Sequence, residues 1–110
     1  MVGNITLSGK QYRYVFSVRS AKMYQDLFGV PKQTNDNFEV NEMFIRILFT
    51  CLKTSDELRL IDGQEAQFTG GIGELEAIIS DSNEKSFAEF ILDFSEKTAD
   101  KSKKKVEAVS

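Results

Sequence analysis

Two short segments near the start of the chain constrain the fold most. Apolar and polar side chains alternate over residues 5–7 and again over residues 12–16, on either side of the dipeptide Ser8-Gly9. A period of two residues is that of a strand with one buried face, and Ser-Gly is typical of a tight turn. The sequence therefore predicts a β-hairpin at the start of the chain.

A helix with clear end signals is predicted directly after this hairpin. Ser17 stands at the N-cap position, and residues 18–28 follow at helical spacing. Gly29 and Pro31 end the pattern, because glycine favours the conformation that closes a helix and proline cannot continue one. The predicted architecture is built outward from this hairpin-and-helix unit.

The rest of the chain is predicted to be mainly helical. Residues 30–37 and the glycine-containing residues 64–73 are predicted loops, and the run from Thr54 to Glu57 is a start signal for a short helix. The predicted helices after the first cover residues 37–52 or 41–52, 56–61, 74–80 and 84–97. The expected fold class is α+β, mainly helical, with an N-terminal β-hairpin followed by four to five helices.

The domain organisation follows from chain length and composition. A chain of 110 residues is long enough for a single modest core, and we expect residues 1–97 to form a single globular α+β domain. Residues 98–110 are Lys-rich and have no usable apolar face, so burial cannot offset the entropy lost on ordering them. They are predicted to be a disordered tail.

Charge and cysteine content narrow the classes of partner. The net charge is −3, but residues 53–96 hold eleven Asp and Glu against three Lys and Arg. An acidic region of this kind repels phosphate backbones, so nucleic acid is an unfavourable main partner, and either a positively charged partner face or solubility accounts for the acidity. A lone cysteine fits a reducing compartment, and no apolar run approaches the ~20 residues of a membrane span. We expect a cytoplasmic protein with no membrane partner.

Residue patterns that would carry catalysis are not found. The chain has no histidine, the commonest general base and metal ligand. The glycines in residues 70–73 precede a predicted helix but lack the Lys-Ser/Thr of a phosphate-binding loop. The carboxylate pairs Asp56/Glu57 and Glu74/Glu76 belong to predicted helix N-termini, where negative charge is favourable. We therefore predict no catalytic, cofactor-binding or metal-binding residues and a protein that is not an enzyme.

The phenylalanine content indicates a binding or assembly protein. The chain has nine Phe and no Trp. Four fall on helical stripes and are core candidates, namely Phe44, Phe87, Phe90 and Phe94. Three fall in predicted loops or off a stripe, namely Phe38, Phe49 and Phe68. Because Phe49 and Ile45 widen the apolar face of the second helix, that face suggests a surface that needs a partner.

The order of short motifs is similar to that of a known class of proteins. The motifs are Gly9-Lys10 with Tyr12 and Phe16 in the hairpin, Phe28-Gly29 at the end of the first helix, and the run Thr54 to Leu58 after the apolar helix. This layout, over residues 4–97, resembles the small tail assembly chaperones of long-tailed bacteriophages and of related prophage elements in Gram-positive bacteria.

The resemblance implies a function in the cytoplasm of the infected host. Proteins of this class bind the long, helical tape measure protein and keep it soluble while tail tube subunits polymerise around it. They are not part of the finished virion, and no catalytic residues are known in the class. The implied partners are the tape measure protein and, as a second candidate, the major tail tube protein.

A helix-in-groove interaction is the predicted binding mode, with affinity from buried apolar area. The predicted partner-binding residues are Ile45, Phe49 and Leu52 on the second helix and Phe90 or Phe94 on the last helix. Self-association through spare apolar surface is a further expectation. Two alternatives stay open: a structural virion protein, such as a head–tail joining or tail completion subunit, and a small nucleic-acid-associated regulator that uses the basic tail.

Overall fold

The computed structural model describes residues 1–30, 35–82 and 85–109, and the side chains of residues 1–30, 35–80 and 85–97. Its elements are β1 (Val2–Leu7), β2 (Lys10–Val15), α1 (Val18–Phe28), α2 (Asn37–Ile61), α3 (Ile72–Ser82) and α4 (Lys85–Val109). The predicted α+β class is confirmed, with one hairpin followed by four helices in the described part of the chain.

The hairpin is an antiparallel pair in which Leu7 lies opposite Lys10. Its two turn residues, Ser8 and Gly9, have φ angles of 51° and 80°. Positive φ at both central residues is what a type I′ turn requires, and this turn matches the twist of the flanking strands. The alternation in the sequence is therefore expressed as the predicted strand pair, and its buried face includes Ile5 and Leu7.

Helix α1 has the bounds that the sequence predicts. The backbone N–H of Ser17 donates to the hydroxyl of Ser20 at 3.2 Å, and Gly29, with φ of 82°, donates to the carbonyl of Gln25 at 3.0 Å. The hydroxyl of the fully buried Ser20 also bonds the carbonyl of Val15 at 2.8 Å. The end of the hairpin and the start of the helix are thus fixed to each other.

Helix α2 is one continuous helix, and the separate short helix predicted over residues 56–61 is wrong. Its N-cap is Asp36, whose carboxylate accepts from the backbone N–H groups of Phe38 and Glu39. The polar residues that suggested a second helix start do not cap a helix. Thr54 donates to the carbonyl of Thr50 one turn earlier, and the Asp56 carboxylate accepts from the loop that follows α2.

Helix α4 continues beyond the predicted end at residue 97 and is helical through Val109. Residues 98–109 contain neither glycine nor proline, so nothing in the backbone chemistry stops the helix there. The side chains from residue 98 onward lie outside the described part, and the predicted disorder of residues 98–110 stays a prediction. The predicted helix start at residue 84 and half of the first predicted loop, residues 31–34, also lie outside it.

The core is assembled around α2. Its middle residues Leu48, Cys51 and Leu52 are at most 1% exposed. Helix α4 packs under the hairpin through edge-to-face ring pairs, with centroids 5.0 Å apart for Tyr14–Phe90 and 4.9 Å apart for Phe16–Phe94. Among the described residues, no helix is both long and apolar enough to cross a membrane.

Candidate partner-binding groove

The structure does not bring the five predicted partner-binding residues together on the surface. Leu52 and Phe90 are 1% and 2% exposed, and Phe49 is 9% exposed, so all three belong to the core. Ile45 and Phe94 are half-buried and pack against that core. The predicted apolar strip is therefore corrected: a partner cannot contact most of it while the protein stays folded.

Phe49 is buried because two aromatic side chains from outside its helix close over it. Its ring centroid lies 6.4 Å from that of Phe28 on α1 and 6.4 Å from that of Phe68 in the loop after α2. The Lys53 Nζ lies 5.4 Å from the Phe49 centroid and donates to the Phe68 carbonyl at 2.9 Å. Phe68 itself, which the sequence left among the loop aromatics, is 4% exposed.

A different apolar surface is open to solvent. A groove of about 610 Å³ lies where the first half of α2 meets α3 and α4. It is lined by Phe38, Asn41, Glu42 and Ile45 of α2, by Glu76, Ile79 and Ser80 of α3, and by Phe87, Ala88 and Ile91 of α4. Of the five predicted residues, Ile45 alone lines it.

The α2 wall of this groove is a single helical face. Its four lining residues have the spacing i, i+3, i+4, i+7, which places them on one side of a helix. Phe38 lies at the open end and is 76% exposed, although it follows a well-formed N-cap. The floor is deeper, because Ile79 and Phe87 are each 8% exposed. An apolar floor with one exposed aromatic at its end is suited to a ligand that presents several apolar side chains.

The ionisable side chains that line the groove are both acidic. Glu42 is bonded to Arg46 at 2.5 Å, and Arg46 is turned toward α1, where its guanidinium lies 5.2 Å from the Phe28 ring centroid. Glu76 makes no hydrogen bond or ion pair within the described residues. With no Lys or Arg in the lining, the groove favours a partner whose rim-facing side chains are basic.

The reactive side chains of the described region are chemically quiet. Burial raises the pKa of Cys51 to about 12, so its thiol is uncharged near neutral pH. Burial, followed by a hydrogen bond to Asp93 at 3.0 Å, also raises the pKa of Tyr14. No group of three His, Cys, Asp or Glu residues that could hold a metal is found in the described part of the chain. That the protein is not an enzyme stays a prediction.

The spacing of residues in the first half of α2 carries a sequence signal for this groove. Phe38 is predicted to fall in a loop or off a stripe, yet it starts the same i, i+3, i+4, i+7 set that contains Ile45. Phe87 and Ile91 were assigned to the apolar stripe of the last helix, and they do lie on one face, but that face is shared between core and groove.

Comparison with known proteins adds no relative. No protein-family model, no curated protein and no solved structure gives a significant match to the chain. The resemblance to tail assembly chaperones therefore stays a prediction, and function has to be argued from the groove.

Proposed function

We propose that this protein is a tail assembly chaperone that binds a helical segment of the tape measure protein in the groove between α2, α3 and α4. The observation that carries the proposal is the groove itself, with Ile79 and Phe87 at its floor and Phe38 exposed at its end. A soluble domain keeps such an aromatic in water at a cost, and partner binding removes that cost. The motif resemblance supplies the identity of the client.

An amphipathic client helix would dock by placing one apolar stripe against the groove. Each Leu, Ile or Phe side chain transferred from water into such a site contributes about 1.5–3 kcal/mol before the costs of association. Three or four such anchors contribute about 4.5–12 kcal/mol, and because association itself costs at least about 4 kcal/mol, the expected complex is weak and reversible. Reversibility suits a chaperone, because its client must be released when tail tube subunits assemble around it.

The proposal also covers where the protein acts and whether it remains in the finished particle. The protein acts in the cytoplasm of the infected host, holds the tape measure protein soluble, and does not enter the finished virion. The major tail tube protein is a second candidate partner, because it polymerises on the client that the chaperone releases. Self-association is expected as well, and it is compatible with client binding where it uses a surface other than the groove.

Co-purification with the tape measure protein encoded in the same genome tests this proposal. Phe38→Ser removes the exposed anchor and should lower the retained tape measure protein about tenfold or more. Ile61→Ser is the matched control, because Ile61 lies at the opposite end of α2 and is 70% exposed. Both variants should keep the wild-type circular dichroism spectrum, since neither side chain is in the core.

Three results would overturn the proposal. Equal retention by wild type and Phe38→Ser would show that the groove does not bind this client. Recovery of the protein from purified particles by mass spectrometry would instead favour a head–tail joining or tail completion subunit. Binding to DNA or RNA with a steep salt dependence that disappears on deletion of residues 98–110 would favour the nucleic-acid-associated alternative.

A further inference from the structure

Strand β1 has one edge whose main-chain groups make no hydrogen bond to any described residue. The hydrogen-bonding order of the hairpin is set by its open end, where Met1 and Phe16 exchange two bonds of 3.1 and 2.8 Å. Bonded and non-bonded pairs alternate in an antiparallel ladder, so Gly3, Ile5 and Leu7 bond to β2. The main-chain groups of Val2, Asn4 and Thr6 therefore point away from the hairpin.

The opposite edge of the hairpin is treated differently. On β2 the outward N–H of Arg13 donates to the side-chain carbonyl of Gln67 at 2.9 Å. The outward carbonyl of Val15 accepts from Ser20 at 2.8 Å. These two bonds also confirm that bonded and non-bonded pairs alternate along the hairpin, because the main-chain groups of Arg13 and Val15 point away from β1.

Space remains beside the uncovered edge. A depression of about 330 Å³ is lined by residues 2–6 and by residues of α4, including Ser86 and Glu89. Within the described residues, nothing bonds to the main-chain N–H or C=O groups of Val2, Asn4 and Thr6. These main-chain groups of β1 are therefore available for pairing with a further strand.

The sequence of β1 offers no protection against such pairing. Natural edge strands are usually blocked by lysine, proline, a bulge or an inward charge. The strand reads Val-Gly-Asn-Ile-Thr-Leu, with no charge and no proline, and its register against β2 is unbroken. The side chains at its outward positions are exposed, Val2 at 54%. An edge of this composition is expected to be covered by another strand.

We propose that β1 pairs with β1 of a second copy of this chain, antiparallel and about a twofold axis at Asn4. In this register Asn4 lies opposite its own counterpart, and Val2 of one copy lies opposite Thr6 of the other. The three outward residues are symmetric about Asn4, so all of their main-chain groups find partners, forming about six hydrogen bonds. The two hairpins then make one four-stranded sheet.

This self-complementarity favours a second copy over a foreign strand. The outward positions are evenly spaced and uncharged, so the twofold arrangement places no like charges opposite each other. The interface is separate from the groove proposed for the client. The depression beside β1 is lined by one face of α4, whereas the groove is lined by α2, α3 and another face of α4. The dimer therefore goes beyond the proposed function and can fail independently of it.

Sedimentation velocity of the full chain over a concentration series up to about 1 mM tests whether it dimerises. Asn4→Pro removes one outward N–H from β1 and should raise the dissociation constant of the dimer about tenfold. Gln11→Pro is the matched control, because Gln11 pairs with Thr6 and its N–H points outward from β2 instead. Circular dichroism checks that both variants keep the hairpin fold.

A charge swap tests the register. Asn4→Lys and Asn4→Asp should each weaken the homodimer at low ionic strength, because each places two like charges directly across the twofold axis. An equimolar mixture of the two variants should dimerise at least as well as wild type, since the axis then joins opposite charges.

The outcomes separate cleanly. A dimer lost in both single variants and restored in the mixture supports the twofold pairing at Asn4. A chain that stays monomeric over the whole series overturns the proposal, as does a dimer that is indifferent to substitution at Asn4. Impaired dimerisation with unchanged tape measure binding, or the reverse, distinguishes this proposal from that of the groove.

Discussion

Removal of the Asp56 carboxylate should destabilise the protein far more than removal of its neighbour Glu57. Asp56 is 5% exposed and accepts from the backbone N–H groups of Gln67 at 2.7 Å and Phe68 at 2.9 Å. A hydrogen bond to a charged group contributes about 1.5–3 kcal/mol, and the N–H of Phe68 is left buried when its acceptor is lost. Asp56→Ala should therefore lower the free energy of unfolding by about 3–5 kcal/mol, a large part of the ~5–15 kcal/mol of a typical domain.

Glu57→Ala is the matched control for this experiment. Glu57 is bonded to Arg19 at 2.7 Å, but the two side chains are 45% and 51% exposed. An exposed ion pair of this kind is worth about 0–1 kcal/mol. With a urea m-value of about 1–3 kcal/mol/M, Asp56→Ala should lower the urea midpoint by more than about 1 M, and Glu57→Ala by less than half of that.

A second measurement shows whether the loss acts through the loop. Gln67 accepts from the N–H of Arg13 on β2, so release of the loop frees a backbone group of the hairpin. Amide hydrogen exchange at Arg13 should accelerate in Asp56→Ala and not in Glu57→Ala. Equal midpoints for the two variants, or unchanged exchange at Arg13, would refute the conclusion that Asp56 holds the loop to both α2 and the hairpin.

Two further predictions rest on the buried core. Because the pKa of Cys51 rises from its ordinary 9.0 to about 12 on folding, the unfolded chain loses this proton first, and the free energy of unfolding should fall as pH rises from about 9, by up to ~1.4 kcal/mol per pH unit. Tyr14, whose pKa is also raised, should add to the decline above pH 10, and urea unfolding of Cys51→Ala, compared with wild type, should show a shallower decline between pH 9 and 10. Phe49→Asp should lower the free energy of unfolding by more than about 3 kcal/mol in thermal unfolding, because it removes a core ring and buries a charge. Phe38→Asp on the same helix should lower it little, because Phe38 is exposed. A Phe49→Asp variant as stable as wild type would contradict the burial of Phe49.

The hairpin and α1 could be predicted from the sequence because their signals are local. The turn dipeptide Ser8-Gly9, the alternation on either side of it and the stop at Gly29 all act within a few residues of one another. The backbone chemistry of such signals is the same in a peptide and in a folded chain. No distant residue has to be known in order to interpret them.

The short helix predicted over residues 56–61 fails for the opposite reason. Thr54 and Asp56 have the residue types of helix caps, but both accept hydrogen bonds from residues distant in sequence: Thr54 from Ser20, 34 residues earlier, and Asp56 from Phe68, 12 residues later. Phe68 likewise lies in a segment without periodicity and is buried only because Lys53 and Asp56 hold its backbone. Tertiary hydrogen bonds of this kind override local preference, and one sequence does not reveal them.

The candidate surface in the structure differs from the predicted strip for a geometric reason that bears on the proposed function. A helix that is apolar over more than half its circumference, as α2 is, does not reveal in its sequence which side faces the core. The hairpin and α1 both pack on α2, Leu48 and Leu52 are buried, and the ring of Phe28 closes over Phe49. The apolar surface remaining for a partner therefore lies at Phe38 and Ile45 in the first half of the helix. A client helix that bound the middle of α2 would have to displace the hairpin. One that binds at Phe38 and Ile45 leaves the core intact, and for that reason the tape measure proposal depends on the groove and not on the strip that the sequence first indicated.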